Sequence, residues 1–392
     1  MSKRVGMEVS IAVAEAVKLA NADVVAAYPI TPQTHIVEHL SELVADGDLD
    51  AEYICVESEH SAMSAVVGSS AAGARSFTAT ASQGLALMHE ILFIASSMRL
   101  PIVMTVANRS LSSPLSIWND HSDIMASRDC GWIQYFVENG QEAFDHVLIA
   151  FRVAEDPTVS LPAIVNLDGF ILSHVIEPHI LLDAEQVARF LPPFRPLNRL
   201  DPDHPVTMGD FGMPDFYTEV KKAQEAALRN SRSTIDRGWQ EFGELTGRRY
   251  HAVESYKTEG AEVLLLSMGA LGETASVAID RMREQGLPVG LVGLRLWRPF
   301  PAADLLEALG EAKKIVVLDR AISFGAASNP VAAEVASLFY DTEPRPCIFN
   351  MVVGLGGRDV RVEDFEAILK KALGGHSYPG PVGEYELIGV RE

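Results

Sequence analysis

Short apolar runs that break off at polar or glycine-bearing turns leave this chain few folds to choose from. Asp23–Tyr28, Ala51–Val56, Arg75–Thr80, Pro101–Ala107 and Ala163–Leu167 all read as strands. Val9–Ala20, His35–Ala45, Ser61–Ala74 and Leu85–Ser97 carry apolar residues at helical spacing and alternate with them. Such alternation predicts a doubly wound parallel sheet with helices on both faces. In open α/β sheets ligands gather at the carboxyl ends of the strands, so the residues after each run are the functional candidates.

Two of those turns stand out. In Tyr28-Pro-Ile-Thr-Pro-Gln-Thr34, Pro29 and Pro32 fix their own φ and restrict the residue before each, so Thr31 is presented along one defined path. In Val56-Glu-Ser-Glu-His-Ser-Ala62, two carboxylates, Glu57 and Glu59, stand where a strand ends and a helix of small residues opens. A carboxylate there suits catalysis or ligand binding; equally, Ser58 or Glu59 could simply cap the helix.

After Phe190 the texture changes. Leu191–Pro205 holds five prolines and cannot be continuous helix or central strand, so it should wrap over a surface. A charged helical stretch, Tyr217–Thr246, follows, and a second α/β module starts at Ala261 with strands at Val263–Ser267, Val289–Arg295, Lys314–Leu318 and Asn350–Val353. The modules should meet near residue 255.

Composition narrows the functional classes. A net charge of −21 without basic patches argues against nucleic acid. No apolar run approaches the ~20 residues of a membrane span, and the opening Met-Ser-Lys-Arg-Val-Gly, expected to lead straight into a helix, lacks a signal-peptide core. Three scattered cysteines, Cys55, Cys130 and Cys347, point to a reducing, cytoplasmic setting and cannot hold an iron–sulfur cluster by themselves.

Other motifs keep two readings each. Gly354-Leu-Gly-Gly357 and Gly269-Ala-Leu-Gly272 are better read as tight turns than as phosphate cradles. Asp120-His121-Ser-Asp123 could chelate a metal but is better read as a polar network. Arg109, after a buried strand, could clamp a substrate carboxylate with its planar fork or pair with a nearby acid.

Together these stretches carry a resemblance. Tyr28-Pro-Ile-Thr-Pro, Val56-Glu-Ser-Glu-His-Ser-Ala, Thr78-Ala-Thr-Ala-Ser-Gln-Gly-Leu-Ala-Leu-Met88, Ile117-Trp-Asn-Asp-His-Ser-Asp123 and Val353-Gly-Leu-Gly-Gly-Arg-Asp359 resemble the alpha chain of the 2-oxoacid:ferredoxin oxidoreductases, in particular the multi-subunit pyruvate:ferredoxin type. The resemblance implies a thiamine-diphosphate pyrimidine-binding domain over residues 1–190, a proline-rich and helical linker over 191–255, and a transketolase C-terminal-like domain over 256–392. It implies that Glu59, not Glu57, bonds N1′ of the aminopyrimidine. It places Thr31 and Arg109 at the 2-oxoacid, and Pro29, Ile30, Ser82, Gln83 and Gly84 around the cofactor.

The diphosphate half is expected elsewhere. Gly209-Asp-Phe-Gly212, the nearest approach to a diphosphate-binding Gly-Asp-Gly, follows no buried strand and reads as a turn. The resemblance therefore implies partners: a diphosphate-binding beta subunit with Mg²⁺, and gamma and ferredoxin-like delta subunits with [4Fe-4S] clusters. Coenzyme A and ferredoxin complete the reaction. Pyruvate is the favoured substrate, with branched-chain or aryl 2-oxoacids as alternatives, and a non-catalytic assembly subunit is the reading from another class.

Overall fold

The computed structural model describes residues 3–374 and 385–391. Its larger sheet has seven strands, in the order Leu296–Arg298, Ile133–Phe136, Ala163–Asp168, Val103–Asn108, Ser76–Thr80, Val24–Ala27 and Glu52–Cys55. All neighbours are parallel except Leu296–Arg298, which runs antiparallel to Ile133–Phe136. The central strands Ser76–Thr80, Val103–Asn108 and Ala163–Asp168 are buried along their whole length, as a parallel sheet covered on both faces requires. The expected doubly wound architecture is what the chain adopts.

The second sheet has six strands, Glu386–Leu387, Cys347–Val352, Lys314–Asp319, Val263–Ser267, Val289–Leu294 and Val253–Tyr256, parallel but for the last. The two modules interpenetrate at their seam. Leu296–Arg298 leaves the second module to extend the first sheet, and Trp297 is fully buried there. A three-residue strand between an arginine and a Pro-Phe-Pro turn carries too little periodicity to be read in advance.

Leu191–Pro205 is irregular, as five prolines demand. Tyr217–Thr246 forms one helix and ends at Gly247, whose φ of 77° supplies the left-handed cap. It buries Ile235, Trp239 and Phe242 in the same core as Phe144 and Phe151 of the helix Gly140–Ala154. The long helix is thus a strap on the first module, and Tyr250 and Ala252 lie in that core too.

Three local expectations are corrected. The chain does not run straight into its first helix: Lys3–Glu8 is a strand paired antiparallel with Ile176–Leu181, and Met1 and Ser2 lie outside the described residues. Ala81–Gly84 is not a free turn, because the helix begins at Ser82, with Ala81 as its cap residue. The strand read as Ala51–Val56 is shorter, Glu52–Cys55, and lies at the sheet edge with Glu52, Ile54 and Cys55 exposed.

Candidate active site

Thr31, Glu59, Gly84 and Arg109 each follow one of four adjacent strands, Val24–Ala27, Glu52–Cys55, Ser76–Thr80 and Val103–Asn108. The sheet order therefore gathers residues far apart in sequence along one carboxyl edge.

The two carboxylates after Glu52–Cys55 part company. Ser58 caps the helix Glu59–Ala71, its hydroxyl accepting from the Ser61 amide at 3.3 Å. Glu57 is exposed and accepts from the Ser61 hydroxyl, which holds its carboxyl below the ordinary range. With the cap filled and the surface site taken by Glu57, Glu59 turns inward and is 7% exposed. Among the described residues no donor reaches its carboxylate by a hydrogen bond. A buried carboxylate so left is costly unless something outside the chain completes it.

Gly84 makes room for Glu59. A Cβ at this position would lie 2.4 Å from Thr80 Oγ1 and 2.7 Å from Glu59 Oε1. Only a glycine lets the first turn of the helix Ser82–Ser97 approach the carboxylate so closely. Thr80 Oγ1, buried at the same spot, also lacks a partner among the described residues.

Arg109 ties the edge together. Its Nη1 donates to the Thr31 carbonyl at 2.8 Å and its Nε to the Ser116 carbonyl at 2.9 Å. Among the described residues no acid lies within ion-pair distance, so the pairing alternative finds no partner. Nη2 and the second Nη1 proton remain for an incoming acceptor. Burial lowers the Arg109 guanidinium somewhat, and nearby Asp123 opposes that shift.

Asp123 fixes the two loops behind these groups. Its Oδ2 accepts the backbone amides of Ser82 and Arg109, each at 3.0 Å, and its Oδ1 accepts Asn108 Nδ2 at 3.2 Å. Burial pushes the Asp123 carboxyl up to about 7, against the amides of Arg109, Ser82 and Ile124 that pull it down. Ser82 itself is fully buried at φ 46°, and its hydroxyl donates to the Ser110 carbonyl at 2.6 Å. A non-glycine residue keeps such a backbone only where its surroundings over-determine it. Ser82 thus shapes the wall from behind, while half-buried Gln83 and buried Gly84 lie toward the edge.

The expected Asp120–Asp123 network exists, but it reaches further than its own loop. Asp120 accepts the Gly356 amide at 3.1 Å, and His121 donates its backbone amide to the Arg320 carbonyl at 2.8 Å. The centre of this seam is Asp168, at the end of the strand Ala163–Asp168. It pairs with His121 Nε2 at 2.8 Å and Arg320 Nη1 at 2.7 Å, and accepts Asn119 Nδ2 and the Ala270 amide at 3.1 and 2.8 Å. Burial alone would raise the Asp168 carboxyl; Arg320 and His121 instead hold it well below the usual range. Burial lowers the His121 imidazole, an effect Asp168 opposes. Both glycine-rich segments prove to be tight turns docked on this seam: Gly269 lies against Asp168, and Gly357 against Trp118. The role of Asp168 was not read from the sequence, where an aspartate closing a buried strand was the only signal.

Exposed apolar side chains flank the buried groups: Tyr28, Ile54 and Leu87 near Thr31, Glu59 and Gly84, and Ile117 and Trp118 near Arg109.

Residues 15–237 match the family model for pyruvate flavodoxin/ferredoxin oxidoreductase, thiamine diP-bdg. The chain belongs to that family. Residues 261–365 match pyruvate:ferredoxin oxidoreductase core domain II. The chain is 51% identical to pyruvate synthase subunit PorA of Methanothermobacter thermautotrophicus, over 92% of this chain and 93% of the relative. It is 47% identical to the PorA subunit of Thermotoga maritima, over 100% and 99% of the two chains. Ketoisovalerate oxidoreductase subunit VorA of Pyrococcus abyssi is 45% identical over 92% of each. A solved 2-oxoglutarate:ferredoxin oxidoreductase from Magnetococcus marinus shares the fold, with a TM-score of 0.69 at 22% identity, over 94% of this chain and 65% of that one. This chain is the alpha subunit of a 2-oxoacid:ferredoxin oxidoreductase of the thiamine-diphosphate class.

Proposed function

We propose that the chain contributes the aminopyrimidine half of a split thiamine diphosphate site and acts on pyruvate. The observation that carries this reading is Glu59: buried, without a hydrogen-bond donor among the described residues, and packed on a glycine where any Cβ would press against it. The carboxylate and its glycine cradle fit an aminopyrimidine ring edge. Bound there, thiamine diphosphate would supply the electron sink that takes up the bonding pair left behind when a 2-oxoacid loses carbon dioxide.

In this reading Glu59 bonds N1′ of the ring and exchanges a proton at that atom. Thr31, held by Arg109 through its carbonyl, faces the substrate with Pro29 and Ile30 beside it, while Gln83 and Gly84 close the wall that Ser82 supports. Arg109 offers Nη1 and Nη2 to the carboxylate of the 2-oxoacid. It orients that group more than it aids its departure, since loss of carbon dioxide must loosen the same ion pair. The reaction consumes a 2-oxoacid, coenzyme A and oxidised ferredoxin, and yields acyl-CoA, carbon dioxide and reduced ferredoxin.

The rest of the machinery is assigned to partner chains in the cytoplasm. A beta subunit holds the diphosphate with Mg²⁺, and gamma and ferredoxin-like delta subunits complete the complex and carry [4Fe-4S] clusters. Two features support this: no cysteine cluster occurs in the sequence, and Tyr28, Ile54 and Leu87 are exposed in the elements that carry the site. No helix among the described residues is long and apolar enough to cross a membrane. The similarity to PorA subunits favours pyruvate, and Thr31 offers a small hydroxyl where an arginine would suit a second carboxylate.

The test is Glu59→Gln beside Glu57→Gln in the assembled complex, with exchange of the thiamine C2 proton followed by NMR. Exchange should be lost in the first and kept in the second. The reverse pattern would transfer the role to Glu57.

A further inference from the structure

Glu8, His35 and His174 come from three distant segments and meet beside the Tyr28–Gln33 turn. Each can offer one donor atom such that all three atoms lie within 4.8 Å of one another. His35 Nδ1 lies 2.6 Å from Glu8 Oε1, and the rings of His35 and His174 are 4.6 Å apart. All three residues are half-buried, open enough for an ion to enter and sheltered enough to hold one.

The segments are fixed by bonds that need no ion. Glu8 ends the strand Lys3–Glu8 opposite Ile176. The Val9 and Ser10 amides then donate to the Val175 and Ser173 carbonyls, each at 3.1 Å, and Ser10 Oγ donates to Ser173 O at 2.7 Å. His35 stands in the first turn of the helix Thr34–Ala45. That turn is anchored by the Gln33 amide on the Ile30 carbonyl and by Gln33 Nε2 on the Tyr28 carbonyl, both at 2.9 Å.

The surroundings of His174 suit a ligand. Its Nδ1 is engaged with Ser173 Oγ at 2.7 Å, and that oxygen also accepts the Phe170 amide at 2.9 Å. In the tautomer whose Nδ1–H donates to Ser173 Oγ, Nε2 is left for coordination, the arrangement ligating histidines commonly show.

We infer that Glu8, His35 and His174 form a divalent transition-metal site, for zinc in the first place, that pins the turn bearing Thr31. Two imidazoles and one carboxylate are a donor set suited to zinc, with a water completing four-coordination. His35 lies four positions beyond Thr31, so the ion would tie the substrate turn to the Lys3–Glu8 strand and to the loop after Asp168. The competing arrangement is a plain Glu8–His35 ion pair with a stacked second imidazole.

The assembled complex, freed of loosely bound metal, is dialysed against micromolar zinc and its zinc measured by elemental analysis. Wild type is compared with His35→Gln, His174→Gln and the triple variant Glu8→Gln/His35→Gln/His174→Gln. Wild type should hold one zinc per alpha chain above the triple variant, and each single variant should bind it more than about 100-fold more weakly. Crystals of the wild-type complex should show anomalous density at the zinc edge among these three side chains, which decides the matter should a variant fail to assemble. Equal zinc in wild type and triple variant, or no anomalous peak there, overturns the assignment.

Discussion

Gly84→Ala adds one methyl group at the point where the site is tightest. The new carbon would stand 2.4 Å from Thr80 Oγ1, 2.7 Å from Glu59 Oε1 and 2.8 Å from Glu59 Cγ. Ordinary contact needs about 3.5 Å, so Glu59 and Thr80 must together retreat by roughly 1 Å. Overpacking of this kind costs about 1–3 kcal/mol. Alanine in place of glycine inside a helix returns about 1 kcal/mol, so stability and assembly should change little. Catalysis should not escape so lightly: a misplacement of about 1 Å at a reacting group is worth about 100-fold in rate. The assay is pyruvate- and coenzyme A-dependent reduction of ferredoxin by the assembled complex, with thermal unfolding and thiamine content measured on the same preparation. A large fall in kcat with nearly unchanged unfolding temperature is expected. A kcat within about twofold of wild type would show that Glu59 does not work from this position, because a shift of that size could not be tolerated.

Arg109→Lys keeps the charge but loses the planar fork that spans Thr31, Ser116 and the incoming carboxylate, so KM for the 2-oxoacid should rise while cofactor content holds; unchanged KM and kcat would leave Arg109 a structural role only. Asp168→Asn strands the buried Arg320 and should cost about 3–5 kcal/mol in chemical unfolding. Because the folded Asp168 carboxyl is depressed, its contribution is present above the unfolded value of about 3.9 and is lost as pH falls through the folded value; Asp168→Asn should flatten that acid limb. Expressed without partners, the chain should aggregate or stay free of thiamine diphosphate, and co-expression with the diphosphate-binding subunit should restore both; a soluble, cofactor-loaded single chain would contradict the split site.

The strand–helix alternation was readable because central parallel strands must be apolar throughout and their turns must be polar. Val263–Ser267 and Tyr217–Thr246 fall where the pattern puts them. Lys3–Glu8 was not readable, since a strand whose partner lies at Ile176–Leu181 follows no local periodicity. The same holds for Leu296–Arg298, whose three residues are a strand only because Gln134 and Tyr135 stand beside them. At the site, spacing alone left Glu57 and Glu59 as equals. What separates them is the cap: Ser58 takes the helix terminus, Glu57 takes the Ser61 hydroxyl, and the remaining carboxylate goes inside. What Ser82 does was not legible, because its hydroxyl is occupied by Ser110, a contact spanning 28 residues.

These contacts suit a cofactor site divided between chains, as proposed. The groups that must be exact here are held from behind, by Asp123 on the amides of Ser82 and Arg109 and by Arg109 on the carbonyl of Thr31. None of these bonds uses the open side. The edge can therefore be preorganised before a partner arrives, and in the proposed split site the partner would bring only the metal, the diphosphate and a surface to cover Tyr28, Ile54 and Leu87. Preorganisation on one side lets association spend its free energy on closing the pocket rather than on building it. The Asp168 seam serves the same end from the other direction. By clamping the second module to the loops behind Arg109, it keeps the wall from shifting when the open face is filled.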